Sequence, residues 1–140
     1  SFLALQARAE GREDGDTRRW DGVLTSGRLA WYVRPAAWST MEINAEWSGG
    51  WRTRVPFQLG FSDLDGGVRG YRDSRKGGSQ RAVLRAENRF FLGTVKQSAD
   101  VGLAAFVDAG RLWAGDVPIG IDARPHVGAG IGLLAAVPPG

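Results

Sequence analysis

The sequence is poor in the residue types that most often carry catalysis or bind metals. It contains no cysteine among its 140 residues, which excludes disulfides, thiol chemistry and cysteine-ligated metal sites. His126 is the only histidine, so a multi-histidine metal site cannot be built. A Gly-x-Ser-x-Gly nucleophile motif is also missing. We therefore expect no catalytic residues, no bound metal and no cofactor.

Long apolar runs are missing as well. No stretch approaches the roughly 18–20 apolar residues of a membrane-spanning helix, so any membrane role must run through a β-barrel. Hydrophobic residues still make up 43% of the chain, which excludes a disordered tail. The length predicts one domain over residues 1–140. No leader precedes the strand-like pattern at Ser1, so we expect an exported protein to contain this chain as a fragment.

Lysine is scarce, although the chain is basic. Of 18 basic residues, 16 are arginines, because lysine occurs only at positions 76 and 96. A net charge of +3 and a pI near 9.9 invite a nucleic-acid interpretation. The arginines are spread over many segments rather than clustered on one. This spread favours pairing with nearby acids inside a polar interior, and we predict no nucleic-acid partner.

What the sequence has in quantity is period-two alternation, which is typical of β-strands. Between residues 38 and 48, for example, Met41, Ile43, Ala45 and Trp47 alternate with polar side chains. The pattern predicts six strands, near 2–11, 20–33, 38–50, 81–93, 99–112 and 124–137. At about 10–14 residues these strands exceed the usual ~5–6, and they fit tilted membrane-spanning strands of ~9–11 residues with extensions.

Long and short connections alternate between these strands, as in outer-membrane barrels. The long loops are predicted at 12–19, 51–80 and 113–123, and the short turns at 34–37 and 94–98. Trp20, Trp51 and Trp113 fall beside long loops and Trp38 beside a short turn. Together they fit an aromatic girdle, although each alone could be ordinary core. Six strands cannot close a wide barrel, and bare sheet edges are untenable in lipid.

A soluble β-sheet can show the same alternation, with one face in water. The strand near 81–93 carries a charged ladder of Arg85, Glu87 and Arg89 at every second position. Such a ladder fits a wet barrel lumen. We interpret it as mutual neutralisation of charge in preference to substrate contact.

The long loop holds the run Asp65-Gly66-Gly67-Val68-Arg69-Gly70-Tyr71. Glycines on both sides of Arg69 permit a sharp turn, and the guanidinium offers five donors suited to a carboxylate. On its own, this run also fits an exposed hairpin tip with a solvated arginine. Strand parity supplies a partner, because Asp108 shares a face with Phe106 and with the small residues Gly102, Ala104 and Gly110. Tyr71 would either pack against this contact or lie at the loop tip.

Several motifs, in order, resemble the barrel of the BamA-like superfamily of outer-membrane assembly factors and two-partner-secretion transporters. They are Gly66–Tyr71, the Glu87-Asn88-Arg89-Phe90 run, the Phe106-x-Asp108-x-Gly110 motif and the closing Gly128-Ala129-Gly130-Ile131-Gly132-Leu133. The similarity covers about residues 38–140, and the first third matches in pattern alone. From the residues themselves, the last motif has the wrong spacing for a phosphate loop and fits thin-wall packing in a strand.

The resemblance implies a fold class and a function. The chain would be all-β, an antiparallel up-and-down meander forming six strands, nine to fourteen, of a sixteen-stranded transmembrane β-barrel. The family's inward-folded loop would place Arg69, with Gly67, Gly70 and Tyr71, as a latch against Asp108. The lumen wall beside it would include Phe106, Gly110, Arg85, Glu87 and Arg89.

The resemblance also implies partners and a location. It places the chain in the bacterial outer membrane, acting on unfolded outer-membrane or secreted polypeptides. Its other partners would be the lipid bilayer, the remaining barrel strands and periplasmic POTRA domains. Two alternatives stay open: an outer-membrane barrel that acts as, or is attached to, a lipid hydrolase, and a soluble β-barrel binding module.

Overall fold

A computed structural model of the chain describes residues 1–14, 19–52, 59–60, 67–71, 77–96, 99–116 and 120–137. The side chains of residues 12–14 and 19–21 lie outside this description. Six long strands dominate: β1 (Phe2–Asp14), β2 (Arg19–Ala36), β3 (Ser39–Trp51), β6 (Gln80–Val95), β7 (Ala99–Trp113) and β8 (His126–Ala136). Two short strands, β4 (Leu59–Gly60) and β5 (Gly77–Gly78), lie in the connection between β3 and β6.

The six long strands form one sheet in the order β1-β2-β3-β6-β7-β8, and every neighbouring pair is antiparallel. The strands follow one another in chain order, since β4 and β5 pair separately with each other. The predicted all-β antiparallel meander is therefore confirmed. Within the described part of the chain, no helix is long and apolar enough to cross a membrane.

The long strands reach beyond the ranges expected from the sequence at most of their ends. β2 continues through Pro35 to Ala36, so the turn to β3 occupies residues 37 and 38 instead of 34–37. Proline cannot donate to a strand ladder and is tolerated where pairing is irregular. The register of β2 against β3 shifts between Val33 and Ala36, which accommodates Pro35. Of the predicted loop 51–80, residues 53–58, 61–66 and 72–76 lie outside the description.

Register divides the sheet into two faces, because successive side chains in a strand point to opposite sides. The inner face is the one that carries Asp108; the outer face carries Val107. Cross-strand pairing extends the inner face from Asp108 to Arg85 on β6 and Gly128 on β8. It extends the outer face from Val107 to Ala86 and Ala129 in the same way.

Burial on these two faces is the reverse of that in a soluble domain. The outer face exposes large apolar side chains: Leu5 is 78% exposed, Ile131 79% and Leu133 82%. The inner face buries charge instead, with Arg81 8% and Asp108 0% exposed. Water-soluble proteins rarely expose contiguous apolar surface of this kind. The outer face therefore suits an apolar medium.

The tightest packing lies on the inner face, where the long connection between β3 and β6 meets the sheet. Val68 from this connection forms a buried cluster with Leu112 of β7 and Ala123, with 1%, 0% and 5% exposure. Leu59 and Tyr71 pack against the cluster. These contacts hold the segment 67–71, called here the inner loop, against the wall.

Aromatic side chains gather near both ends of the strands. Trp47 stacks on Trp51 with ring centroids 6.5 Å apart and lies 5.7 Å from Trp113. Near the turn between β2 and β3, Trp38 stacks on Phe90 at 5.8 Å. The side chain of Trp20, also predicted for this role, lies outside the described residues. The observed pairs form two bands separated by the length of the strands.

Candidate functional site

The inner loop turns sharply at the run predicted to carry the mechanism. The backbone N–H of Tyr71 donates to the carbonyl of Val68 at 3.1 Å, which closes a β-turn. Gly70 occupies its third position with φ 79°, a left-handed conformation that favours glycine there. The turn leaves the backbone N–H and the side chain of Arg69 free to face the wall.

Arg69 makes a two-pronged ion pair with Asp108. Its Nε donates to Asp108 Oδ2 at 2.8 Å and its Nη2 to Asp108 Oδ1 at 2.8 Å. The backbone N–H of Arg69 donates to Oδ2 as well, at 3.1 Å. Asp108 is fully buried, so these charge-assisted donors replace the water that its carboxylate would otherwise bind.

Two more wall residues complete the surroundings of Arg69. Its Nη1 donates to Glu87 Oε2, so one guanidinium joins two carboxylates on neighbouring strands. The face of Phe106 lies below it, with the Arg69 Cζ atom 3.9 Å from the ring centroid. Stacking of this kind suits the planar, weakly hydrated guanidinium.

The charge state of Arg69 follows from these partners. Hydrogen bonding to Asp108 raises the pKa of the Arg69 guanidinium above its usual range; partial burial opposes the rise and hydrogen bonding to Glu87 adds to it. Arg69 therefore stays charged at physiological pH. Any titration of this contact must come from the carboxylates.

The charged ladder of β6 supports the same contact from both sides. Arg85 donates from Nη2 to the carbonyl of Gly67, at the entry to the turn. Arg89 donates from Nε to Glu87 Oε1 at 2.6 Å, while its Nη2 lies 3.9 Å from Glu42 Oε2 on β3. Glu87 thus lies between two arginines, one from the loop and one from the wall.

The polar row continues across β3 to β2. Glu42 accepts from the Tyr32 hydroxyl at 3.0 Å and from the Asn44 amide at 2.6 Å. Sequence reasoning did not single out these three residues. The alternation of Glu42 and Asn44 with Met41 and Ile43 is visible in the sequence, but the pairing of β3 with β6 that brings Glu42 to Arg89 is not.

Tyr71 packs into the site instead of standing at an exposed tip. Its hydroxyl lies 3.1 Å from His126 Nε2, and the two rings meet edge to face at 4.7 Å. His126, the single histidine of the sequence, therefore holds the far side of the turn through Tyr71. Gly110 is the next residue of β7 after Asp108 that lies on the inner face, and it is paired with Val83 and His126.

Comparison with known protein families gives a match over most of the chain. A model of the Omp85 superfamily domain matches residues 39–140. That range runs from the start of β3 to the end of the chain and includes the inner loop, Glu87, Asp108 and His126. No curated protein and no solved structure matches the chain.

Proposed function

Because this chain belongs to the Omp85 superfamily, whose members are outer-membrane β-barrel proteins for polypeptide transport and assembly, we propose that it forms part of a barrel wall. The barrel inserts polypeptides into the bacterial outer membrane or exports them across it. Its six long strands are six of sixteen, completed by further strands at the open edges of β1 and β8. Unfolded polypeptides are its substrates, and POTRA domains are its periplasmic partners.

Reversed burial supports the membrane part of this proposal. Exposed leucines and Ile131 on the outer face suit lipid, while charged side chains on the inner face suit a wet lumen. The two aromatic bands match the expected positions of the bilayer interfaces. A soluble binding module would place its largest apolar side chains between layers.

The Arg69–Asp108 contact is the single observation that carries the mechanism. It ties the inner loop to β7 on the inner face of the sheet, which would line the lumen of the proposed barrel. Because one charge-assisted pair and its neighbours fix the loop, breaking that pair releases it. We propose that the inner loop is a latch, which holds the lumen in one state until the polypeptide is engaged.

Depletion of the full-length protein from its own bacterium tests the transport function. If the protein inserts outer-membrane β-barrel proteins, we expect the amounts of those proteins to fall. If it exports a polypeptide, we expect the amount of that one secreted polypeptide to fall. Quantitative proteomics of outer-membrane and culture-medium fractions measures both, with restored wild-type expression as the control. Unchanged levels of both classes, with altered lipid composition instead, would favour the hydrolase alternative and overturn the proposal.

A lysine placed on either face at the same depth tests the lipid contact. Leu5 lies on the outer face, and the adjacent Gln6 on the inner face is paired with Arg28. We expect Leu5→Lys to cost about 2–4 kcal/mol at mid-depth, and less nearer an interface. Gln6→Lys adds only a like charge in a wet lumen and serves as the matched control.

The measurement is the fraction of folded barrel in outer-membrane extracts, read from its mobility on gels without heating. Leu5→Lys should reduce that fraction strongly, and Gln6→Lys should leave it near the parent value. Equal effects of the two lysines would contradict the assignment of the outer face to lipid.

A further inference from the structure

Three glycines alternate along the inner face of β8: Gly128, Gly130 and Gly132. Glycine inside a strand is unfavourable because it loses more backbone freedom on folding than other residues. A strand with three such positions on one face therefore gives up stability. The surroundings of each glycine differ, and they indicate what two of the three do.

Gly128 lies directly beneath the backbone of the inner loop. A Cβ atom built there would stand 2.5 Å from the carbonyl oxygen of Arg69 and 3.1 Å from Cγ1 of Val68. A backbone carbonyl cannot move aside as a flexible side chain can. Even one methyl group at position 128 would therefore push the turn away from β8.

Gly130 provides space for the aromatic ring beneath Arg69. A Cβ atom there would approach two ring atoms of Phe106 at 2.7 and 2.8 Å. The ring is already covered on one face by the guanidinium, 3.9 Å above its centroid. Phe106 could make room only by tilting, which would break that stacking.

Gly132 lies on the same face of β8 as Gly128 and Gly130. A Cβ atom built at Gly132, however, would have no atom within 4 Å. Its cross-strand partner is Ala104, whereas Gly128 faces Asp108 and Gly130 faces Phe106. The close approaches are thus confined to the part of β8 that underlies the latch.

We propose that Gly128 and Gly130 are positioning residues that form a seat on β8 for the inner loop. Gly128 receives the Arg69 backbone, and Gly130 receives the ring on which the Arg69 side chain lies. Together they set the depth at which the guanidinium meets Asp108. This inference rests on the proposed latch function, because a seat matters only if the loop is held there.

The test measures the loop directly in the full-length protein. The 140 residues contain no cysteine, so Val68→Cys adds a thiol at a position that is 1% exposed while the loop is seated. The rate of maleimide labelling in outer-membrane preparations then reports release of the loop. The protein without Val68→Cys shows any background labelling.

In this background, Gly128→Ala should raise the labelling rate roughly 5- to 30-fold, the usual consequence of overpacking. Gly130→Ala should act in the same direction but more weakly, because a ring can tilt where a carbonyl cannot. Gly132→Ala should leave the rate unchanged. Its folded fraction should be at least that of the parent, since alanine restricts the unfolded chain.

If Gly128→Ala does not fold, the test can still be made by comparing Phe106→Leu with the double variant Phe106→Leu/Gly130→Ala. Leucine lacks the ring atoms that a methyl at position 130 would meet, so Gly130→Ala should have little added effect in a Phe106→Leu background. Equal rates for the Gly128, Gly130 and Gly132 variants would overturn the seat. If Asp108→Ala also fails to raise labelling, the latch itself is wrong; if it does raise it, the seat alone fails.

Discussion

Replacing Arg69 with alanine is expected to release the inner loop from the wall. The substitution removes the guanidinium that joins Asp108 to Glu87, and the buried Asp108 carboxylate loses the hydrogen bonds that this side chain donates. Removing one partner of a buried pair costs about 3–5 kcal/mol. The effect should lie toward the lower end, because 26% of the Arg69 side chain is exposed.

The Val68→Cys reporter measures this release. A cost of that size should increase maleimide labelling by about 100-fold, provided that the loop opens and closes faster than it reacts. Arg69→Lys is the matched control, since it keeps the charge but loses the two-pronged geometry. Its labelling should fall between those of the parent and Arg69→Ala. Parent-like labelling in Arg69→Ala would mean that other contacts hold the loop.

Replacing Asp108 with alanine should also release the loop, but less completely. Arg69 would lose three donated hydrogen bonds to Asp108 and keep its ion pair with Glu87. A fully buried carboxylate that has lost its donors costs more than a partly exposed guanidinium that retains one carboxylate. We therefore expect faster labelling in Arg69→Ala than in Asp108→Ala.

The double variant separates a shared contact from two independent ones. Once Arg69 is absent, removing Asp108 also removes a buried charge that has lost its partner. The combined effect on loop release should then fall short of the sum of the single effects by roughly 0.5–3 kcal/mol. Glu87→Gln, tested alone, shows how much the second carboxylate contributes. Simple additivity would show that Arg69 and Asp108 act separately.

Much of this arrangement could be predicted from local sequence pattern. Strand parity placed Asp108 on the face with Phe106 because the side-chain period of two is insensitive to small errors in strand ends. The glycines on both sides of Arg69 predicted a sharp turn, and this turn indicated Arg69 as the partner of Asp108. The structure brings Nε of Arg69 to 2.8 Å from Oδ2 of Asp108, and this contact supports the proposed latch.

The role of Glu87 could not be predicted, because it depends on register. β6 and β7 pair with a bulge between Phe91 and Gly93. A shift of the register by one residue would move every side chain of one strand to the opposite face of the sheet. Only with that register fixed does Glu87 lie opposite Phe106, within reach of Arg69. The sequence showed its charge and its neighbours Arg85 and Arg89, which suggested neutralisation along one strand.

What the glycines of β8 contact could not be predicted, for a related reason. Their spacing indicated close packing but not what packs there, since the inner loop lies far from them in sequence. The contacts at Gly128 and Gly130 arise from the tertiary fold, and the open space at Gly132 shows that the motif is not uniform.

The position of Arg85 bears on what happens when the latch opens. While the loop is seated, Arg85 donates to the carbonyl of Gly67, and it lies directly opposite Asp108 in the β6–β7 pairing. Withdrawal of the loop would free both groups at once, side by side on adjacent strands. In the proposed open state, Asp108 would then pair with Arg85, which lies opposite it, and Glu87 would retain Arg89.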